Sequence, residues 1–179
     1  MSDPEVPIYS LAFQVGELLK VSGLRLVLAE SCTGGLLSKA MVDIPGISKY
    51  YCGSAVTYRN ETKAEWLKAD RALLNDPMIG PVSPQIAEQM CRGVLDKTPE
   101  ADVAASVTGH LGPDAPPDLD GVVYIGVVFR NAPKAHVVRR KLSDNEPENG
   151  TKRSVRQREA AAFVLKELLD AMKQRGYDD

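Results

Sequence analysis

The chain has 179 residues, 44% hydrophobic and 26% charged, an ordinary globular composition at a length where one domain with a sizeable core is the default. A formal net charge of -2 and a pI near 5.8 exclude a non-specific polyanion binder, because a phosphate backbone demands a cationic surplus. No apolar run reaches the roughly 20 residues of a membrane span, and Met1 to Tyr9 lacks the cationic-then-apolar order of a secretion signal, so a cytoplasmic location is expected.

Ile8, Leu11, Ala12, Val15, Leu18 and Leu19 recur at three-to-four spacing, which predicts an amphipathic helix ended by a left-handed cap at Gly23. Leu24 to Ala29 is a short, nearly continuous apolar run, the pattern of a strand buried on both faces. The turn Glu30-Ser31-Cys32-Thr33-Gly34-Gly35 follows, and Leu36, Leu37, Ala40 and Met41 resume helical spacing until Pro45-Gly46 stops it. Tyr50 to Tyr58 reads as a second strand and Glu61 to Leu67 as a short helix carrying Lys63 near its start. Ser83-Pro84 opens another helix, since serine caps free amides and proline suits the first helical position; Ile86, Ala87, Met90 and Val94 give it a core face. Asp102 to Val107 is a further apolar run, ending in Thr108-Gly109 ahead of a proline-rich loop from Leu111 to Asp120. Val122 to Phe129 and Ala135 to Leu142, separated by Asn131-Ala132-Pro133, read as a hairpin. A last helix lines one face with Ala161, Leu165, Leu168 and Met172. The alternation predicts one α/β domain over 1-179, a three-layer α/β/α sandwich with a mixed, mostly parallel sheet. Ligands in such folds bind beyond the carboxyl ends of the strands, which points to Ser31 and Thr108.

Three widely spaced cysteines, Cys32, Cys52 and Cys91, write neither a disulfide framework nor a zinc knuckle. Two histidines, His110 and His136, are too few and too far apart for a histidine-rich metal site, while the count leaves a carboxylate-based one open without supporting it. Serine is a poor nucleophile until a base takes its proton, and with histidine scarce the base for Ser31 is a lysine held neutral by burial, Lys63. The amides of Thr33, Gly34 and Gly35 would face an oxyanion from a helix start; the plainer reading is a helix cap with glycines permitting a tight turn. Cys32 is an alternative nucleophile, weighed against a small core residue, and a Ser31-His110-Asp114 triad is formally available. Tyr58, five positions before Lys63, is placed either to pass protons or as a half-buried core tyrosine. Arg153, Arg156 and Arg158 crowd the opening of the last helix, where the macrodipole disfavours cations; a substrate phosphate would answer them, unless they form a solvated face. Arg139-Arg140-Lys141 reads as protection of a strand edge.

Ala29 to Gly35 closely resembles the signature of the CinA C-terminal domain, the nicotinamide mononucleotide deamidase family. Asp43-Ile44-Pro45-Gly46-Ile47-Ser48, Val56 to Lys63, Val82-Ser83, Ser106 to Gly109, Gly112-Pro113 and Gly121 to Tyr124 resemble its successive blocks in order. The resemblance implies an α/β/α domain that hydrolyses the carboxamide of nicotinamide mononucleotide to nicotinate mononucleotide and ammonia without a cofactor. It implies Ser31 as nucleophile, Lys63 as its base, Tyr58 as a proton-handling partner and the Thr33 to Gly35 turn as oxyanion cradle. Ser48, Asn60, Thr108 and Gly109 lie in the matching blocks, and with Arg156 they complete the expected substrate contacts. A homo-oligomer is expected, with the hairpin edge from Val122 to Leu142 as a contact; nucleic-acid and membrane partners are not. One departure stands out: after Gly112-Pro113 the family continues with glycines and a lysine-proline pair, whereas this chain has the acidic, stiffer Asp114-Ala115-Pro116-Pro117-Asp118-Leu119-Asp120. The alternative that follows is a non-catalytic nucleotide-binding or regulatory module with an altered loop.

Overall fold

The computed structural model describes residues 8–177 apart from 146, 148 and 149. Ile8–Ser22 forms helix α1, and Gly23 leaves it at φ 72°, the left-handed cap that the sequence predicts. Leu26–Glu30 is strand β1, and every residue of it is buried. Leu26 and Leu28 enter one core and Val27 and Ala29 the other, which is why the run is apolar without alternation.

Four more strands, β2 (Tyr51–Val56), β3 (Val103–Gly109), β4 (Val122–Phe129) and β5 (His136–Lys141), complete a sheet of order β2-β1-β3-β4-β5. β2, β1 and β3 run parallel, whereas β4 pairs antiparallel with β3 and with β5. Helices α1, α2 (Leu36–Val42) and α6 (Lys152–Gln174) cover one face, and α3 (Asn60–Leu67), α4 (Arg71–Asn75) and α5 (Pro84–Asp96) cover the other. The α/β/α sandwich with a mixed sheet is therefore the architecture. Ser83 caps α5 by accepting from the Ile86 amide, with Pro84 in the first turn.

Two local differences from the sequence reading have plain causes. The run Tyr50 to Tyr58 stops being strand after Val56, because the Thr57 amide makes the last bond to β1, at the Glu30 carbonyl, and Arg59 then turns the chain into α3, its amide donating to Thr62 Oγ1 at 3.2 Å. Helix α4 is too short to show periodicity; its signal is Asp70, whose carboxylate accepts from the Ala72 amide at 2.7 Å. The register is what matters for function. Glu30 lies opposite Val56 on one side and Val107 on the other, so Ser31 and Thr57, just past the ends of β1 and β2, stand level with Thr108, the penultimate residue of β3. Among the described residues no helix is long and apolar enough to cross a membrane.

Candidate active site

Ser31 leaves β1 and is 6% exposed, and Lys63, in the first turn of α3, is 2% exposed. The Lys63 Nζ lies 2.9 Å from Ser31 Oγ, 3.0 Å from the Thr57 carbonyl and 3.5 Å from the Tyr58 carbonyl. No salt bridge offsets its burial among the described residues, and desolvation pushes the amine from its usual 10.5 down to about 8. An uncharged amine has two N–H donors and one lone pair. Two carbonyls take the donors, which leaves the lone pair for the hydroxyl proton of Ser31.

The strand-end carboxylate of Glu30 was not singled out by the sequence, yet it organises the turn. It is fully buried and accepts from Thr33 Oγ1 (2.8 Å), the amides of Gly35 (3.0 Å), Leu37 (3.2 Å) and Ser38 (2.9 Å), and Ser54 Oγ (3.0 Å). These donors include the free amides at the start of α2, whose N-cap Gly35 has no side chain to offer. The expected oxyanion cradle needs correcting here: the Gly35 amide is spent on Glu30, and the Gly34 amide on the Ser31 carbonyl at 3.1 Å. The amides of Cys32 and Thr33 carry no hydrogen bond among the described residues. The signal that could have found Glu30 is a carboxylate closing an apolar run five residues before an uncapped helix.

Helix α6 closes the site from the side. Gln157 donates to the Cys32 carbonyl at 3.1 Å, and Arg153 donates to the Tyr58 hydroxyl at 2.8 Å and the Gly112 carbonyl at 2.7 Å. Tyr58 is 60% exposed, so it is not a core tyrosine; its backbone carbonyl approaches Lys63 while its phenol meets Arg153.

Other expected contacts are committed elsewhere. Arg156, 1% exposed, spends all five N–H donors on the Ser143 and Leu111 carbonyls and on the carboxylates of Asp120 and Asp144. The anion that answers this misplaced cation is internal, which corrects its assignment to a substrate phosphate. Thr108 Oγ1 donates to the Pro81 carbonyl at 2.7 Å. A Cβ at Gly109 would stand 2.4 Å from Val123 Cγ1 and 2.8 Å from the Val122 carbonyl, so close approach of β4 explains that glycine. Asn60 reaches the Leu74 carbonyl at 3.5 Å, tying α3 to α4. Ser48 is exposed in the 3-10 turn Ile47–Lys49 before β2, at the end of the strands opposite Ser31. The Ser31-His110-Asp114 triad is not assembled. His110 bridges to Asp120, Asp114 sits at φ 63° in the loop, and the partner of Ser31 is Lys63.

Cys32 lies in the hydrophobic core at 3% exposure, and burial pushes its thiol up to about 12. A thiol in that state is not a nucleophile at neutral pH. Iodoacetamide treatment and Cys32→Ala should each leave any amidase activity within about twofold, a size surface and small core changes commonly allow; abolition by both would restore a thiol mechanism.

Residues 8–172 match the family model of the CinA C-terminal domain. The chain belongs to this family. The domain is 42% identical over 120 residues to a putative competence-damage inducible protein of Halothermothrix orenii, covering 66% of this chain and 28% of that protein. It is 44% identical over 99 residues to a CinA-like protein of Desulfotalea psychrophila, covering 55% of this chain and 23% of that protein. The CinA domain thus spans less than a third of these relatives. Among solved structures it is similar to competence damage-inducible protein A of Klebsiella pneumoniae, with a TM-score of 0.81, 27% identity and coverage of 93% of this chain and 98% of the other. Competence/damage inducible protein CihA of Agrobacterium tumefaciens has a TM-score of 0.81 at 29% identity, covering 95% of this chain and 98% of that one.

Proposed function

We propose that this CinA domain hydrolyses the carboxamide of nicotinamide mononucleotide, giving nicotinate mononucleotide and ammonia, as befits pyridine-nucleotide salvage. The observation that carries the reading is the buried Lys63 amine 2.9 Å from Ser31 Oγ, with no carboxylate paired to it among the described residues. Ser31 Oγ attacks the amide carbon as its proton passes to Lys63, and the carbonyl oxygen gains the negative charge. The unbonded amides of Cys32 and Thr33, just after the nucleophile, are the donors best placed for that oxygen. Breaking the C–N bond releases ammonia as the nitrogen takes the proton held by Lys63, directly or through the Tyr58 phenol, which Lys63 reprotonates. Water then attacks the Ser31 ester as the neutral Lys63 takes its proton, and that proton returns to Ser31 Oγ as the acid leaves. A homo-oligomer remains expected. The hairpin edge from Val122 to Leu142 stays the candidate contact, and there edge strand β5 exposes His136, Arg139 and Lys141.

Purified protein should release ammonia from the mononucleotide, and Ser31→Ala should not. The pH profile adds a second check with a fixed sign. Folding lowers the Lys63 pKa, so the required uncharged amine predominates above about 8 and is lost as pH falls. The ratio kcat/KM should therefore rise through an apparent pKa of about 8 and drop tenfold per pH unit below it. A profile flat from about pH 6 to 9 would remove the lysine base.

A further inference from the structure

The acidic loop that departs from the family pattern is joined to the site through the first turns of α6. Arg156 grips it at both ends, through the Leu111 carbonyl and the Asp120 carboxylate. Three residues earlier on the helix, Arg153 takes the Gly112 carbonyl with one nitrogen and the Tyr58 hydroxyl with another. The Tyr58 phenol is 60% exposed, and Arg153 provides its only hydrogen bond among the described residues. Without that partner, an exposed phenol would sample rotamers in solvent and be ordered only at an entropic cost. With it, one oxygen lone pair is occupied and the hydroxyl proton is left to point away from the guanidinium. A hydroxyl that accepts from a cation is also polarised toward donating. Lys63 meanwhile contacts the backbone carbonyl of the same tyrosine, and Gln157, one turn on from Arg153, holds the Cys32 carbonyl beside Ser31. One face of α6 thus contacts both the nucleophile turn and the phenol.

We infer that Arg153 is a positioning residue: it fixes the Tyr58 phenol as a directed proton donor over the Ser31–Lys63 pair and makes that placement depend on the loop beginning at Gly112. The inference rests on the amidase reading. It differs from a direct contact between Arg153 and a substrate anion, because it acts through Tyr58 alone. Lysine cannot replace the fork, since a single ammonium does not reproduce the two divergent planar donors that reach Gly112 and Tyr58.

The test is a double-mutant cycle on the full chain, with kcat and KM measured for wild type, Arg153→Ala, Tyr58→Phe and the double variant. Arg153→Ala should lower kcat about tenfold or more with KM within about twofold, the mark of a misplaced catalytic group. In the Tyr58→Phe background the same change should alter kcat less than about twofold. A raised KM with unchanged kcat in both backgrounds would make Arg153 an anion contact, and losses that multiply would make the two residues independent; either result overturns the inference. A second readout needs no turnover: the Tyr58 Cζ resonance in protein carrying 13C-labelled tyrosine, recorded without substrate for wild type and for Arg153→Lys, the gentler change should Arg153→Ala fail to fold. The resonance should shift in either variant, and an unmoved one would remove the pairing itself. A wild type that releases no ammonia would instead remove the amidase reading.

Discussion

Replacing Lys63 with methionine should lower kcat by about three to four orders of magnitude, the cost of removing a nucleophile's base, while the protein stays folded. Adding Ser31→Ala should cost little more, because the two groups act as a unit once the hydroxyl cannot be deprotonated. Stability offers a check independent of activity. The folded amine titrates near 8 and the unfolded one near 10.5, so between these values the unfolded chain holds a proton that the folded chain has released. Stability contributed at this site therefore rises with pH across that window and is lowest below it. Methionine has no such dependence. The difference in unfolding free energy between wild type and Lys63→Met should change by about 3 kcal/mol between pH 8 and 10.5, at 1.36 kcal/mol per unit. Denaturant melts across that range measure it. A constant difference would mean that the amine ionises as it does in water, and the proposed base would be lost with it.

The fold was legible wherever burial imposed a period. The bare apolar run of β1 and the four-residue rhythm of α1 and α5 are direct records of being covered on two faces or one. The pairing of Ser31 with Lys63 was legible too, because scarcity of histidine pointed to a lysine beside the strand-to-helix turn, and the two side chains meet at 2.9 Å. What the sequence concealed were the partners of polar groups. Arg156 and Arg153 look alike three residues apart, but one faces Asp120 and the other Tyr58, 95 positions back in the chain. Thr108 and Gly109 sit at the expected strand end, yet one is turned to Pro81 and the other pressed on β4. Position along a strand is local information. Which way a hydroxyl or guanidinium turns is decided by elements that only the folded chain brings near.

Glu30 is where that hidden layer has its largest energetic consequence. Glu30→Ala should destabilise the domain by about 3 to 5 kcal/mol, since a buried network loses the partner of three helix-start amides and two hydroxyls at once. Glu30→Gln should be nearly as harmful, because its NH2 would oppose the Ser38 amide or the Gly35 and Leu37 amides, whichever way it turned. Chemical denaturation tests both variants; a change within about 0.5 kcal/mol, as for a surface substitution, would show that water replaces the carboxylate without penalty. The same network accounts for how the Glu30 carboxylate can sit next to Ser31 without spoiling Lys63 as the proposed base. A carboxylate paired with Lys63 would keep the amine protonated, but among the described residues Glu30 accepts only from neutral donors, and it is burial that pushes the Lys63 amine down. If Glu30→Gln retains measurable turnover, its acid limb should stay near 8 while kcat falls. A limb moved well away from that value would mean that Glu30 addresses the lysine directly, and that its neutral donors do not insulate the two charges.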